Sequence, residues 1–422
     1  MTDVVRITDL REPVLDDAQR AAVEYAASLD ITFDADQIVR AARDRTGLTD
    51  LGDDGPEGAG LLDRLGLMIR AIDDDSGLGP LGRMILHQRT VRLLSNRLLV
   101  EDLIRRTPEI LDIRLEAPII VIGLPRSGTT HLVNLLAADR RLRSLPYWES
   151  LEPVPNRGDG PGRDGVDPRY DRCRRSYEAQ MAIAPLVRAM HHQEPSAIEE
   201  EIELQDLDLG SYNLEWQARV PAWRDAYLEF DQVRSYGYLH RVLQVLTHLR
   251  GPRRWVLKSP QHLEQIGPLL ATFPDATVAV THRDPVAVIQ SAATMLAYGD
   301  RIRRPAVQAD ELGAYWVDRV ERLLRACVRD HHLLDPDRTV DVMFHDFMAD
   351  DLATVGRIYE RSELDFDDRT RARVEHHLAE HGRGAHGRVV YDLRGDFGLD
   401  PDRVRERFDF YFDRFPVRAE EI

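Results

Sequence analysis

Four times along this chain a short, β-branched apolar run is followed by a helical stretch, and that alternation constrains the fold more than any other feature. The runs are APIIVIG (117–123), WVLK (255–258), TVAVTH (277–282) and TVDVMF (339–344). Helical patterns follow them over Thr129 to about Ala138, Ser259–Thr272, Pro285–Ala297 and Asp346–Arg361. A continuous apolar run, unlike an alternating one, marks a strand covered on both faces, and strand–helix alternation builds a parallel sheet. The expected class is α/β, a P-loop-like parallel sheet flanked by helices.

Residues 1–116 precede this pattern and read as a helical N-terminal region. Leu61, Leu62, Leu65, Met68, Ile69 and Ile72 recur at helical spacing, as do Met84, Ile85, Val91, Leu94, Leu98 and Ile104. The α/β part is expected to span 117–415. Within it, 150–250 reads as a helical insertion that opens with the loop-like PVPNRGDGPGRDGVDP (153–168). An amphipathic helix over 401–415 closes the unit, leaving 416–422 as a tail.

Charge narrows the partners. Acids outnumber bases 73 to 56, a net charge of −17. A general nucleic-acid binder needs a basic face, so nucleic acid is not an expected partner. An anionic ligand is repelled at long range and must meet local cations at its site. No apolar run approaches the ~20 residues of a membrane span, and the first residues, MTDVVRITDLREPVLDD, contain no apolar block. Cys173 and Cys327 are the only cysteines and lack metal-ligand spacing, so a disulfide scaffold and a zinc module are not expected. A reducing, cytoplasmic setting fits. Among the 56 basic residues a single one, Lys258, is lysine. Arg-favouring coding accounts for rarity, but a position that keeps an ammonium against that bias points to a charge guanidinium cannot replace.

The loop GLPRSGTT (123–130) follows the first strand and opens the first helix. Backbone N–H groups and the helix dipole favour an anion there. Gly123 and Gly128 have the spacing of a Walker loop, but Thr129 stands where that loop carries its lysine. Arg126 is the nearest cation, and no metal-binding Asp ends a second strand. An anion cradle that works without Mg²⁺ is the expectation, with a P-loop nucleotide kinase or NTPase as the alternative.

PRSGTT at a strand–helix turn resembles the 5′-phosphosulfate loop of sulfotransferases, which use 3′-phosphoadenosine 5′-phosphosulfate (PAPS). THRDPVAVIQS (281–291) resembles their 3′-phosphate motif, an Arg ending a strand with a Ser eight residues on, here Arg283 and Ser291. Asp284 suits a helix N-cap and Pro285 the first helical position. VLKSPQHL (256–263) is similar to the bacterial, broad-substrate branch, where a Lys ends this strand and a His follows. The resemblance covers about 117–415. It implies PAPS as donor and adenosine 3′,5′-bisphosphate as product, with no metal. The implied acceptor is a hydroxyl or amine on a small molecule, lipid or glycan. The implied cofactor-binding residues are Pro125, Arg126, Ser127, Gly128, Thr129, Thr130, Arg283 and Ser291. HGRGAHGRVVYDLRGDFGLD (381–400) is similar to the segment that closes over the cofactor, which adds Arg383 and Gly384, with His386 and Arg388 as alternatives. A non-catalytic relative that only binds the bisphosphate is the further alternative.

Sulfuryl transfer needs cations where negative charge builds, a base for the acceptor proton and an aligned site. Arg126 is the expected loop cation and Lys258 the expected stabiliser of the moving group. In cytosolic relatives a His lies two residues after the strand-end Lys, where this chain has Pro260. His262, in the first turn of the same helix, is therefore the expected base. The other candidates are His191, His192, Glu149 and Glu200. Ser196 and Glu199 match the S-x-x-E capping box, which reads Glu199 as structural, and Glu200 and Glu201 fit a solvated helix face. Trp216, Trp223, Tyr212, Tyr227 and Phe230 suit either an apolar acceptor wall or the core.

Overall fold

The computed structural model describes residues 4–52, 60–74, 76–160, 162, 165–382 and 387–422. Its strands are β1 (Val4–Arg6), β2 (Ile119–Gly123), β3 (Leu142–Arg143), β4 (Arg254–Lys258), β5 (Thr277–His282), β6 (Thr339–Met343) and β7 (Arg388–Val390). Five form one parallel sheet in the order β3-β4-β2-β5-β6. All four strands expected from the apolar runs are present. β2 lies in the middle, and the chain crosses from β4 to β5 over it. This reversal of direction places the loops after β2, β4 and β5 around one crevice at the carboxyl ends of the strands, where open α/β sheets bind ligands.

β2 shows why its apolar run is continuous. Ile119 and Val121 face a core made with Leu132, Leu136, Val342 and Phe347. Ile120 and Ile122 face the opposite, larger core. Side chains alternate across a strand, so a strand with helices on both sides must be apolar at every position.

The larger core runs from Ile7 to Phe415 and includes Leu61, Leu94 and Leu98 from the N-terminal region. Arg64 and Arg97 of that region share the buried carboxylate of Asp208, at 2.8 and 2.9 Å, which locks it to the insertion. The expected N-terminal helices are present as Leu61–Asp74 and Pro80–Arg106. β1 was not expected: it pairs in parallel with β7 and ties the two ends of the chain together.

Several expected helices differ in form. The stretch after β4 is a 3₁₀ turn, Pro260–Glu264, and then a helix, Ile266–Thr272, because Gln265 leaves the helical region at φ −130° and ψ 33°. The helix after β5 continues to Arg303. Asp350 breaks the helix after β6, and its side chain accepts from Ala353 N to start Asp351–Arg361. The 401–415 helix divides into Pro401–Glu406 and Asp409–Arg414. The capping box read at Ser196–Glu199 does not form. That segment instead bridges Pro146 through Ile198, and the helix begins only at Ile202. Tyr212, Trp223 and Tyr227 are core residues, at most 2% exposed. Cys173 and Cys327 are buried free thiols, both pushed up to about 12 by burial.

Candidate active site

The loop between β2 and the helix Thr129–Ala137 is held open by hydroxyl groups. Ser127 Oγ donates to Leu124 O at 2.5 Å and lies 2.7 Å from Thr281 Oγ1 on β5. Gly123 is required there, since a Cβ at that position would sit 1.8 Å from Thr281 Oγ1. Arg126 and Gly128 both adopt positive φ, 67° and 90°. Gly128 caps the helix without a side chain, so the first N–H groups carry no side-chain cap. Such an end is suited to an anion.

Lys258 ends β4 beside this helix. Its Nζ donates to Glu200 Oε1 at 2.5 Å and to the exposed Thr130 hydroxyl at 3.3 Å. The side chain is 1% exposed. A buried ammonium needs a partner of opposite charge, and the insertion supplies it. The three consecutive acids of the insertion divide their work. Glu199 accepts from Gln193 Nε2 at 3.0 Å and lies 3.6 Å from His191 Nε2. Glu200 reaches Lys258. Glu201 accepts the Lys258 backbone N–H at 2.7 Å through Oε2 and contacts His262 Nε2 at 2.6 Å through Oε1. Burial raises the Glu200 carboxyl above its usual range, Lys258 offsets part of that, and the neighbouring Glu199 adds to it. Burial also pushes Glu199 upward, but His191 and Lys258 outweigh it and hold that carboxyl down, to about 2.

His262 does not face the crevice. It is fully buried, and its Nδ1 lies 2.6 Å from Tyr236 Oη while its Nε2 is taken by Glu201. Burial keeps the Tyr236 phenol protonated, so it donates to Nδ1 and leaves Nε2–H for the carboxylate. The ring thus fixes Glu201, and through it the junction of the insertion with β4. Reading His262 as the base conflicts with this geometry, because both ring nitrogens are occupied inside the core. Glu201 is 1% exposed, which corrects its reading as part of a solvated helix face, and Glu199, read as structural, is indeed buried, 7% exposed, but held by Gln193 rather than by a capping box. Glu149 lies in a buried pair with Arg143, 3.3 Å apart. Arg143 stacks on Trp255 near the start of β4, away from the Lys258 end of the strand.

The other arm of the crevice follows β5. Asp284 accepts from Val286 N and caps Pro285–Arg303, as its sequence suggested. Arg126 turns out of its loop so that Nε donates to Ser291 Oγ at 3.0 Å while Nη1 bonds Met190 O. Arg283 Nη1 donates to the Arg126 carbonyl at 2.6 Å, and its guanidinium stacks 4.0 Å from the Phe344 ring centre. Arg126, Arg283 and Ser291 are therefore one hydrogen-bonded group, and Arg126 belongs to this arm. Sequence reasoning missed Glu420. Both of its carboxylate oxygens accept from Arg283, at 2.7 and 2.8 Å. Nothing in a seven-residue tail signals that contact. Arg383, Gly384 and His386 lie outside the described residues.

Residues 118–368 match the model of a sulfotransferase family. The omega-hydroxy-beta-dihydromenaquinone-9 sulfotransferase Stf3 of Mycobacterium tuberculosis (strain CDC 1551 / Oshkosh) is 25% identical over 280 residues, covering 63% of this chain and 68% of that protein. The crystal structure of sulfotransferase STF1 from Mycobacterium tuberculosis H37Rv superposes with a TM-score of 0.77 at 29% identity, covering 90% of this chain and 99% of that one. Sulfotransferase STF9 from Mycobacterium avium gives a TM-score of 0.81 at 25% identity, covering 94% and 100%.

Proposed function

Because this chain belongs to the sulfotransferase family, we propose that it moves a sulfuryl group from PAPS to a hydroxyl of a lipid-like or other small acceptor, without a metal. The observation that carries this reading is the meeting of Lys258, Glu200 and Thr130 at the uncapped start of the helix Thr129–Ala137. The site suits PAPS in two respects: the glycine-bounded helix end for the phosphosulfate, and the group of Arg126, Arg283 and Ser291 for a 3′-phosphate. The menaquinone-derived substrate in the name of the Stf3 relative makes a lipid hydroxyl the first acceptor to try. Among the described residues no helix is long and apolar enough to cross a membrane. With its two free thiols, the proposed setting is the cytoplasm.

PAPS supplies a sulfur–oxygen bond that breaks as the acceptor oxygen attacks. The protein's part is to take the acceptor proton and to steady the charge left on the phosphate oxygen. Glu200 is the proposed base. It borders the crevice, its carboxyl is raised, and its Oε1 accepts a hydrogen bond from Lys258 Nζ. Lys258 supplies a compact positive charge next to the helix end, where a stabiliser aimed at developing charge is most effective. Arg126, Ser291 and Arg283 bind and orient from the other arm. His262 and Tyr236 are positioning residues, acting through Glu201.

The test is to incubate the protein with PAPS labelled in the sulfuryl group, in EDTA, with a panel of lipid hydroxyls, and in parallel with ATP and Mg²⁺. Label transfer or PAPS hydrolysis in EDTA is the expected result. ATP turnover that needs Mg²⁺, with no loss of label from PAPS, would establish a P-loop kinase instead.

A further inference from the structure

Arg283 has three donor nitrogens, and each is already engaged. Nη1 donates to Arg126 O, while Nε and Nη2 hold the two oxygens of Glu420 side by side. This two-point grip on a planar anion is the one guanidinium offers to phosphate. The carboxylate comes from residues 416–422, which form no helix or strand.

The C-terminal segment is anchored by aromatic packing up to Phe415 and by polar contacts at Glu420 beyond it. His282 and His331 both contact Asp341 Oδ1, at 3.0 and 2.9 Å, and His282 Nδ1 meets Tyr411 Oη at 2.8 Å. Phe415 packs against the two imidazoles, with ring centres 4.2 and 5.1 Å away. Past that clamp, Glu420 N donates to Asp284 Oδ2 at 2.8 Å, and Arg405 bridges Asp284 Oδ2 and Glu420 O at 3.1 Å each. The Arg283 and Glu420 side chains are 21% and 32% exposed. Partly solvated pairs of this kind exchange at a lower cost than enclosed ones. A phosphate monoester carries nearly two negative charges at neutral pH against one for a carboxylate, so it is the stronger partner for the same fork. Glu420 itself borders a cavity of about 680 Å³ whose lining mixes Arg6, Arg394 and Arg405 with Asp392, Asp402 and Glu421, which gives a displaced carboxylate room to turn aside.

We propose that Glu420 is a further residue of the donor site: it fills the anion seat of Arg283 until a 3′-phosphate displaces it, so that the affinity for 3′-phosphorylated nucleotides is set by an exchange. This rests on reading Arg283 as the 3′-phosphate ligand. The apparent affinity of such a ligand is reduced by the fraction of molecules whose seat is open, and removing the competitor restores it. A ligand without the 3′-phosphate leaves the seat alone.

The experiment measures, by calorimetry, adenosine 3′,5′-bisphosphate and adenosine 5′-monophosphate binding to the wild type, to Glu420→Gln and to a chain ending at Val417, which keeps the Phe415 clamp. Hydrogen exchange of residues 416–422 is followed with each nucleotide. Both variants should bind the bisphosphate roughly 10- to 100-fold more tightly, with the monophosphate changed less than about twofold. The bisphosphate alone should speed exchange at Glu420 N–H in the wild type. Unchanged or weakened bisphosphate binding in both variants, with the wild type still preferring bisphosphate to monophosphate, would overturn the exchange and leave Arg283 as a phosphate ligand that Glu420 merely orients. A wild type and variants that bind neither nucleotide would overturn the donor reading itself, and Glu420 with it.

Discussion

At one end of the crevice an ammonium is enclosed at 1% exposure against Glu200, and at the other a guanidinium 21% exposed lies between Glu420 and the ring of Phe344. Both cations are matched by a carboxylate from a distant segment, the insertion in the first case and the chain terminus in the second. The difference is solvent. Removing the partner of a 1% exposed ammonium strands a charge in the core, whereas a pair with both members partly exposed, at 21% and 32%, trades partners with water or a ligand more readily. The Lys258 end is thus built to hold one charge arrangement, and the Arg283 end to exchange one anion for another.

The sharpest way to break that contrast is Glu200→Gln, which removes the proposed base and leaves Lys258 Nζ without its carboxylate. Turnover should fall by about 10²- to 10⁴-fold, the usual worth of a positioned base. In the wild type kcat/KM should rise with pH, because only the ionised carboxylate accepts a proton. Burial places that rise above the ordinary glutamate range. Glu200→Gln should lose this limb, and a variant that kept it would assign the base elsewhere. Lys258→Arg asks for less. It keeps the charge, so folding and binding of adenosine 3′,5′-bisphosphate should persist, but the wider fork does not fit the place of a compact ammonium. A fall in kcat of roughly 100- to 1000-fold is expected. Wild-type kcat would reduce the lone lysine to a placeholder for charge.

How much of this was legible differs between the same two regions. The apolar runs at 117–123, 255–258, 277–282 and 339–344 gave the strands, because full burial on both faces leaves a local mark. The glycine loop and the spacing of Arg283 to Ser291 are also local, and the structure joins those residues through Arg126. The acids were not legible. Glu200 and Glu201 read as a solvated helix face because adjacent acids usually are one, and Glu199 read as half of a capping box. The crossing of the insertion over the end of β4 sends Glu200 to Lys258 and Glu201 to His262, while Glu199 turns to His191 within the insertion. The solitary lysine was the one sequence signal that a buried acid should be sought. His262 had the right place in the chain but the wrong direction, since the 3₁₀ turn at Pro260–Glu264 aims it at Tyr236. Glu420 left no pattern at all, because a single hydrogen-bonded carboxylate in an irregular tail has no periodicity.

The account stands or falls on whether the two arms read the two ends of one donor. The measurement is the affinity of Arg283→Ala for adenosine 3′,5′-bisphosphate and for adenosine 5′-phosphosulfate, side by side with the wild type. Loss of a charge-assisted pair to phosphate costs about 2–3 kcal/mol, so bisphosphate binding should weaken roughly 30- to 150-fold. Binding of the 5′-phosphosulfate should change by less than about threefold, because the proposed reading assigns that group to the Lys258 arm. Equal losses for both ligands, or none for either, would contradict the assignment of Arg283 to the 3′-phosphate and with it the division of the crevice proposed here.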